Sequence, residues 1–161
     1  MHRLLRSALF LAFAFAVHAS AEARVCIGGD LDHLSLPQKM DCLRSAIMVR
    51  GGIARFHAPE DWRYFVICTE SDWKTYVAFS KRSARELETM GADTDLVGRT
   101  TFFRGEWLRN ANTHSPVAEK IIAREVASAV LQSVDEVAIS KQVERWIPKP
   151  DQNALVLKAS R

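Results

Sequence analysis

The segment Val117–Leu131, VAEKIIAREVASAVL, constrains the fold more than any other stretch of this chain. Ile121, Ile122, Val126, Ala127, Ala129, Val130 and Leu131 cover nearly every direction around a 3.6-residue repeat. That pattern predicts a helix buried on most sides. Ser115 followed by Pro116 supplies an N-cap and a proline suited to the first helical position. Arg124, Glu125 and Ser128 interrupt the apolar surface, and Arg124 and Ser128 share a face one turn apart. An unpaired buried charge costs several kcal/mol, so Arg124 and Glu125 need each other, another partner, or a cleft open to water.

Other elements follow from local chemistry. Ser35-Leu-Pro-Gln38 is a capping box, and Leu36, Met40, Leu43 and Ile47 recur at helical spacing, which predicts a first helix from 36 to about 50, ended by Gly51-Gly52. A short strand over Ile53–Phe56 and a strand over 63–69, rich in Tyr, Phe, Val and Ile, come next. Trp73, Tyr76, Val77, Ala84, Leu87 and Met90 form a second helical stripe, with a break expected at Ser80–Ser83. Gly91–Asp95 reads as loop, Arg99–Arg104 as an edge strand, and Ser133–Glu136 as a capping box opening a helix over Val137, Ile139, Val143, Trp146 and Ile147. Ala154–Leu157 reads as a last short strand or packed tail. With no repeat or linker, the expected fold is a small single α+β domain, about four helices on a short mixed sheet.

The N-terminus reads as an export signal: Arg3 and Arg6, an apolar run over Ala8–Val17, then small residues that favour cleavage after Ala19. The run is far shorter than the roughly 20 residues of a bilayer-spanning helix, so stable membrane insertion after cleavage is not expected. The domain then spans residues 20–161, in a periplasmic or extracellular setting. Losing residues 1–19 leaves 20 basic side chains against 19 acidic ones. Such a balance argues against nucleic acid or an anionic membrane as an electrostatically driven partner. Among the three cysteines, Cys68 ends the strand-like run Tyr64–Cys68, while Cys26 and Cys42 lie in the polar N-terminal part. The expected disulfide is therefore Cys26 with Cys42, worth about 3 kcal/mol, with the other two pairings left open.

The spacing Arg124-Glu125-x-x-Ser128 is that of His-Glu-x-x-His with both histidines replaced. Over roughly residues 60–150 the chain resembles the gluzincin metallopeptidases of the peptidase MA-like group. In that family two histidines one turn apart hold zinc, and the glutamate between them acts as general base on the metal-bound water. A downstream glutamate is the third ligand, and the similar place here, Trp146-Ile-Pro-Lys-Pro150, holds Lys149. The resemblance implies a zincin-like fold whose ligand places carry Arg124, Ser128 and Lys149, with Glu125 alone retained. Two permanent cations do not assemble around a zinc ion. It implies no metal, no cofactor and no peptidase chemistry; the plain reading of the same residues is a core helix with one internal ion pair.

Four further groups carry candidate chemistry. His57, Glu60 and Asp61 sit in a Pro59 turn, and Gly28–His33 carries Asp30 and Asp32 without the later acidic ligand of a calcium loop. His114 precedes the cap of the central helix. Arg99, Arg104 and Arg109, with Phe102, Phe103 and Trp107, form a basic and aromatic set suited to a peptide along a strand edge. The function these features favour is a non-catalytic exported module that binds a protein or peptide in a cleft between the central helix and the 99–104 strand. A hydrolase using Glu125 with His57 or His114, and a purely structural domain, are the alternatives.

Overall fold

A computed structural model describes residues 24–29, 31–80, 83, 85–86, 89–110 and 116–148. The signal segment, His114, Ser115, Lys149 and the 154–157 segment lie outside the described residues. The elements run β1 (Arg24–Gly28), α1 (Leu36–Arg55), β2 (Arg63–Ile67), α2 (Glu70–Phe79), β3 (Ala92–Asp95), β4 (Thr100–Arg104), α3 (Gly105–Asn110), α4 (Pro116–Leu131) and α5 (Glu136–Trp146). This is an α+β fold, with five helices and a mixed four-stranded sheet among the described residues.

The sheet order is β1-β2-β4-β3. The first three strands in that order are parallel, and β3 joins β4 antiparallel at the rim. Strand alternation then sorts the side chains. Tyr64, Val66, Thr101 and Phe103 share one face, where they pack with α1 and α4 in the main core. Phe65, Ile67, Phe102 and Arg104 share the other; there Ile67 packs with Trp73 and Val77 of α2. Helix α5 lies against α4, and its Trp146 stacks on Phe56 with ring centroids 5.1 Å apart.

Two readings of the strands are corrected. The 99–104 segment is not an edge: β4 lies between β2 and β3. The edge on that side of the sheet is β3, in the stretch read as loop. Ala-Asp-Thr-Asp is a poor strand former by composition, but hairpin pairing with β4 fixes it, register Thr94↔Thr101.

Helix α1 does not stop at Gly51-Gly52, and 53–55 is helical rather than strand. The glycines differ in purpose. A methyl group on Gly52 would overlap the buried Cγ2 of Ile122, so the missing side chain lets α1 and α4 approach. Gly51 faces open space. Gly51→Ala should therefore stabilise by about 0.5–1 kcal/mol through helix propensity. Gly52→Ala should destabilise by about 1–3 kcal/mol through overpacking. Urea denaturation checks both, and equal effects at the two positions would refute this account of α1 against α4.

The core side of α1 is built from Cys42, Ser45, Ala46, Val49 and Ile53, all buried. The periodic set Leu36, Met40, Leu43 and Ile47 points outward, exposed by 73%, 47%, 48% and 61%. At the other end of the chain, Asp135 caps α5, its carboxylate accepting from Val137 N and Ala138 N, where Ser133 was the expected cap. Ser133 instead accepts the N–H of Asp135 through its hydroxyl. Helix α2 stops at Phe79, at the break expected at Ser80.

The disulfide joins Cys42 to Cys68, with Cα atoms 5.2 Å apart, and Cys26 is a free thiol. The expected Cys26–Cys42 pair is thus wrong, for a reason of parity. Cys26 is in register with Phe65 and so faces away from α1. Cys68 continues the even-numbered side of β2, with Tyr64 and Val66, toward α1.

Candidate functional site

Glu125 sits in the buried side of α4, 6% exposed, although it is the residue that burial penalises most. Its carboxylate Oε2 accepts the Thr94 hydroxyl at 2.7 Å. Thr94 and Thr101 hydroxyl oxygens lie 2.9 Å apart, and the Trp62 indole N–H donates to Thr101 Oγ1 at 3.0 Å. Each hydroxyl has one proton. Thr94 gives its proton to Glu125, so Thr101 donates to Thr94. The result is a one-way relay of donors from Trp62 through Thr101 and Thr94 to the Glu125 carboxylate, inside the core. Sheet register builds it, because Thr94 and Thr101 are directly opposed on the face toward α4.

The other two polar residues of α4 go elsewhere. Arg124 forms an ion pair with Glu136 of α5 at the surface, its side chain 40% exposed. Ser128 donates to the Arg124 carbonyl at 3.3 Å, bonding back onto its own helix. Arg124 and Glu125 are thus satisfied by α5 and β3 separately. Both also line a hollow of about 190 Å³ with Thr89, Met90, Gly91, Ala92 and Ile121. Lys149, the fourth member of the set read from sequence, lies outside the described residues.

A larger hollow of about 610 Å³ opens beside β3, among Tyr76, Phe79 and Ser80 of the α2 end, Asp93–Val97, Phe102 and Val134. Tyr76 is held by a hydrogen bond and by ring contacts with Trp73 and Phe102. Its hydroxyl donates to the buried Asp93 carboxylate at 2.5 Å, and its ring lies 4.5 Å from that of Phe102. Phe79, Val97 and Val134, exposed by 85%, 96% and 64%, give the hollow an apolar rim. No sequence pattern marked this place, since its residues come from four separate stretches and β3 itself reads as loop.

The basic and aromatic set around β4 divides into two. Arg99, just before β4, pairs with Asp61 at 2.7 Å and lies over the Trp62 ring. Arg104, at the opposite end, binds Glu70 through Nε at 2.9 Å and lies over the Trp73 and Trp107 rings. Arg109 donates to the Cys68 carbonyl at 3.1 Å. Phe102 and Phe103 point to opposite faces of the sheet. Arg104, Trp107 and Arg109 therefore brace the end of the sheet next to the disulfide, and Arg99 braces the start. His57 is exposed in the turn after α1. Among the described residues, no three His, Cys, Asp or Glu side chains come together as a metal site.

Among the described residues, Tyr64 is a titratable group with a clear perturbation. It is fully buried, its hydroxyl has no hydrogen-bond partner among the described residues, and burial pushes the phenol above its ordinary value. The folded chain keeps this proton at a pH where the unfolded chain has lost it, so stability falls as pH rises above about 10. Tyr64→Phe should flatten that alkaline decline and stabilise by about 1 kcal/mol at neutral pH. Denaturation curves from pH 7 to 11 test it, and an unchanged alkaline slope would refute it.

No protein-family model, no curated protein and no solved structure matches this chain.

Proposed function

We propose that this chain is an exported, non-catalytic domain of zincin-like descent that binds a protein or peptide, and that the large hollow beside β3 receives it. The observation that carries the reading is the fate of Glu125. The residue in the general-base place is turned into the core and engaged by Thr94. The two described ligand places hold Arg124, tied to Glu136, and Ser128, bonded to its own helix. One oxygen of this carboxylate is held by Thr94, and the small hollow that it lines is shared with Arg124, a cation where a metal ligand would stand. The binding place is moved from the cleft beside β4 to β3, since β4 is interior. There an apolar rim above polar Asp93 and Tyr76 has the make-up of a recognition site. Export rests on the leader read in residues 1–19, and the Cys42–Cys68 disulfide is compatible with it. Among the described residues no helix is long and apolar enough to cross a membrane.

The test places a photo-crosslinking amino acid at Phe79 and, as a control, at exposed His57, in the native host compartment. Crosslinking to one defined protein from position 79 alone supports the reading. Equal or absent crosslinking from both sites favours a purely structural domain. One zinc per purified chain, with hydrolysis lost in Glu125→Gln, would replace the proposal with an enzyme.

A further inference from the structure

The exposed stripe on α1 has the pattern of a helix seam. Leu36, Met40, Leu43 and Ile47 are spaced four, three and four residues apart, the apolar repeat of a two-helix coiled coil. They extend over about 16 Å of helix at 1.5 Å per residue. All four are exposed, while the core contacts of α1 come from a different set, Cys42, Ser45, Ala46, Val49 and Ile53. A single exposed leucine needs no explanation, but four large apolar side chains in line on one rigid helix do.

The borders of the stripe identify what fits it. At 100° per residue, Lys39 and Arg50 fall on one side of the seam and Arg44 on the other, all exposed. The nearest acid, Asp41, lies further round the helix, paired with Arg44 at 3.1 Å. We infer that this face of α1 docks an amphipathic helix of a partner protein that carries acidic residues beside its own apolar seam. A second copy of this chain fits poorly. With Met40 and Ile47 at the first seam position and Leu36 and Leu43 at the fourth, Lys39 and Arg44 occupy the two flanking positions. A parallel pair sets Lys39 against the partner copy's Arg44, and an antiparallel pair sets each against its own kind, so both orientations juxtapose like charges. A membrane surface also fits poorly, because helices that lie in the interface present a broad apolar face with aromatic side chains, and this seam is narrow and has none.

The probe is a designed fluorescent peptide of about three heptads, Leu at both seam positions and Glu at both flanking positions, titrated into the full-length chain after signal removal. Binding should weaken with added salt and should be roughly tenfold tighter than for the same peptide with Lys flanks. Leu43→Asp and Ile47→Asp should each abolish it and leave the melting temperature of the chain unchanged, because neither side chain is in the core. The inference is overturned if neither peptide binds or if both bind equally. It is overturned in favour of a second copy if sedimentation shows a dimer that Leu43→Asp dissolves. Binding to vesicles of anionic phospholipid that Leu43→Asp removes would assign the stripe to a membrane. Peptide binding that appears only in a Leu155→Asp/Leu157→Asp variant would assign it to the tail of the chain itself.

Discussion

Cys68→Ala should lower stability by about 3–4 kcal/mol, the loss expected when a crosslink closing a loop of this size is removed. The bond spans 26 residues between α1 and the end of β2. Both half-cystines are buried, at 1% and 3% exposure, so the alanine also leaves a small void in the core. For a domain of this size the melting temperature should fall by roughly 10 °C. Cys42→Ala should do the same, and the double variant should cost little more than either single one, since both remove one bond. Cys26→Ala, on the opposite face of the sheet, should change stability by less than about 0.5 kcal/mol. Thermal denaturation of the three single variants, with and without reductant, decides the matter. A large loss for Cys26→Ala that matches Cys42→Ala would restore the pairing expected from sequence.

Thr101→Val should cost about 2–3 kcal/mol despite its nearly unchanged shape. The valine deprives the buried Trp62 N–H of its acceptor and Thr94 of its donor. Leaving a buried donor unsatisfied costs about 1–3 kcal/mol, whereas removing both partners of a bond is far less harmful. The double variant Trp62→Phe/Thr101→Val should therefore cost clearly less than its two single changes added together. Urea denaturation of the full cycle measures this coupling. Strict additivity would mean that the donor relay toward Glu125 does not act as a unit.

The most regular stretches of sequence gave the safest inferences. The dense apolar surface of α4 forces burial wherever the helix is placed, and the aromatic and branched run of β2 fits a strand covered on both faces. What escaped depends on partners distant in the chain. Glu125 looks misplaced until Thr94, 31 residues earlier, is set against it by the pairing of β3 with β4. The four residues of β3 carry no apolar alternation, so only hairpin pairing makes them a strand. Cys26 and Cys42 are the closer pair along the chain, yet one residue of strand parity puts them on different sides of the sheet. In α1, Gly51-Gly52 resembles a stop signal because the cost of glycine in a helix is local, while the gain from close contact with Ile122 is not. The outward Leu36–Ile47 stripe shows the same limit, since periodicity identifies an apolar face without saying which neighbour covers it.

Because the second and third cysteines are joined, the first keeps a free thiol, and this bears on how the protein matures. On the proposed export, the chain emerges N-terminus first into an oxidising compartment and presents Cys26 and Cys42 before Cys68 has appeared. Oxidation in order of emergence links the wrong two. The native bond then forms by exchange: the Cys68 thiolate attacks the Cys42 sulfur and expels Cys26 as a thiolate, with no net change in oxidation state. On the proposed export route, the native bond thus depends on exchange among these three cysteines more than on additional oxidant.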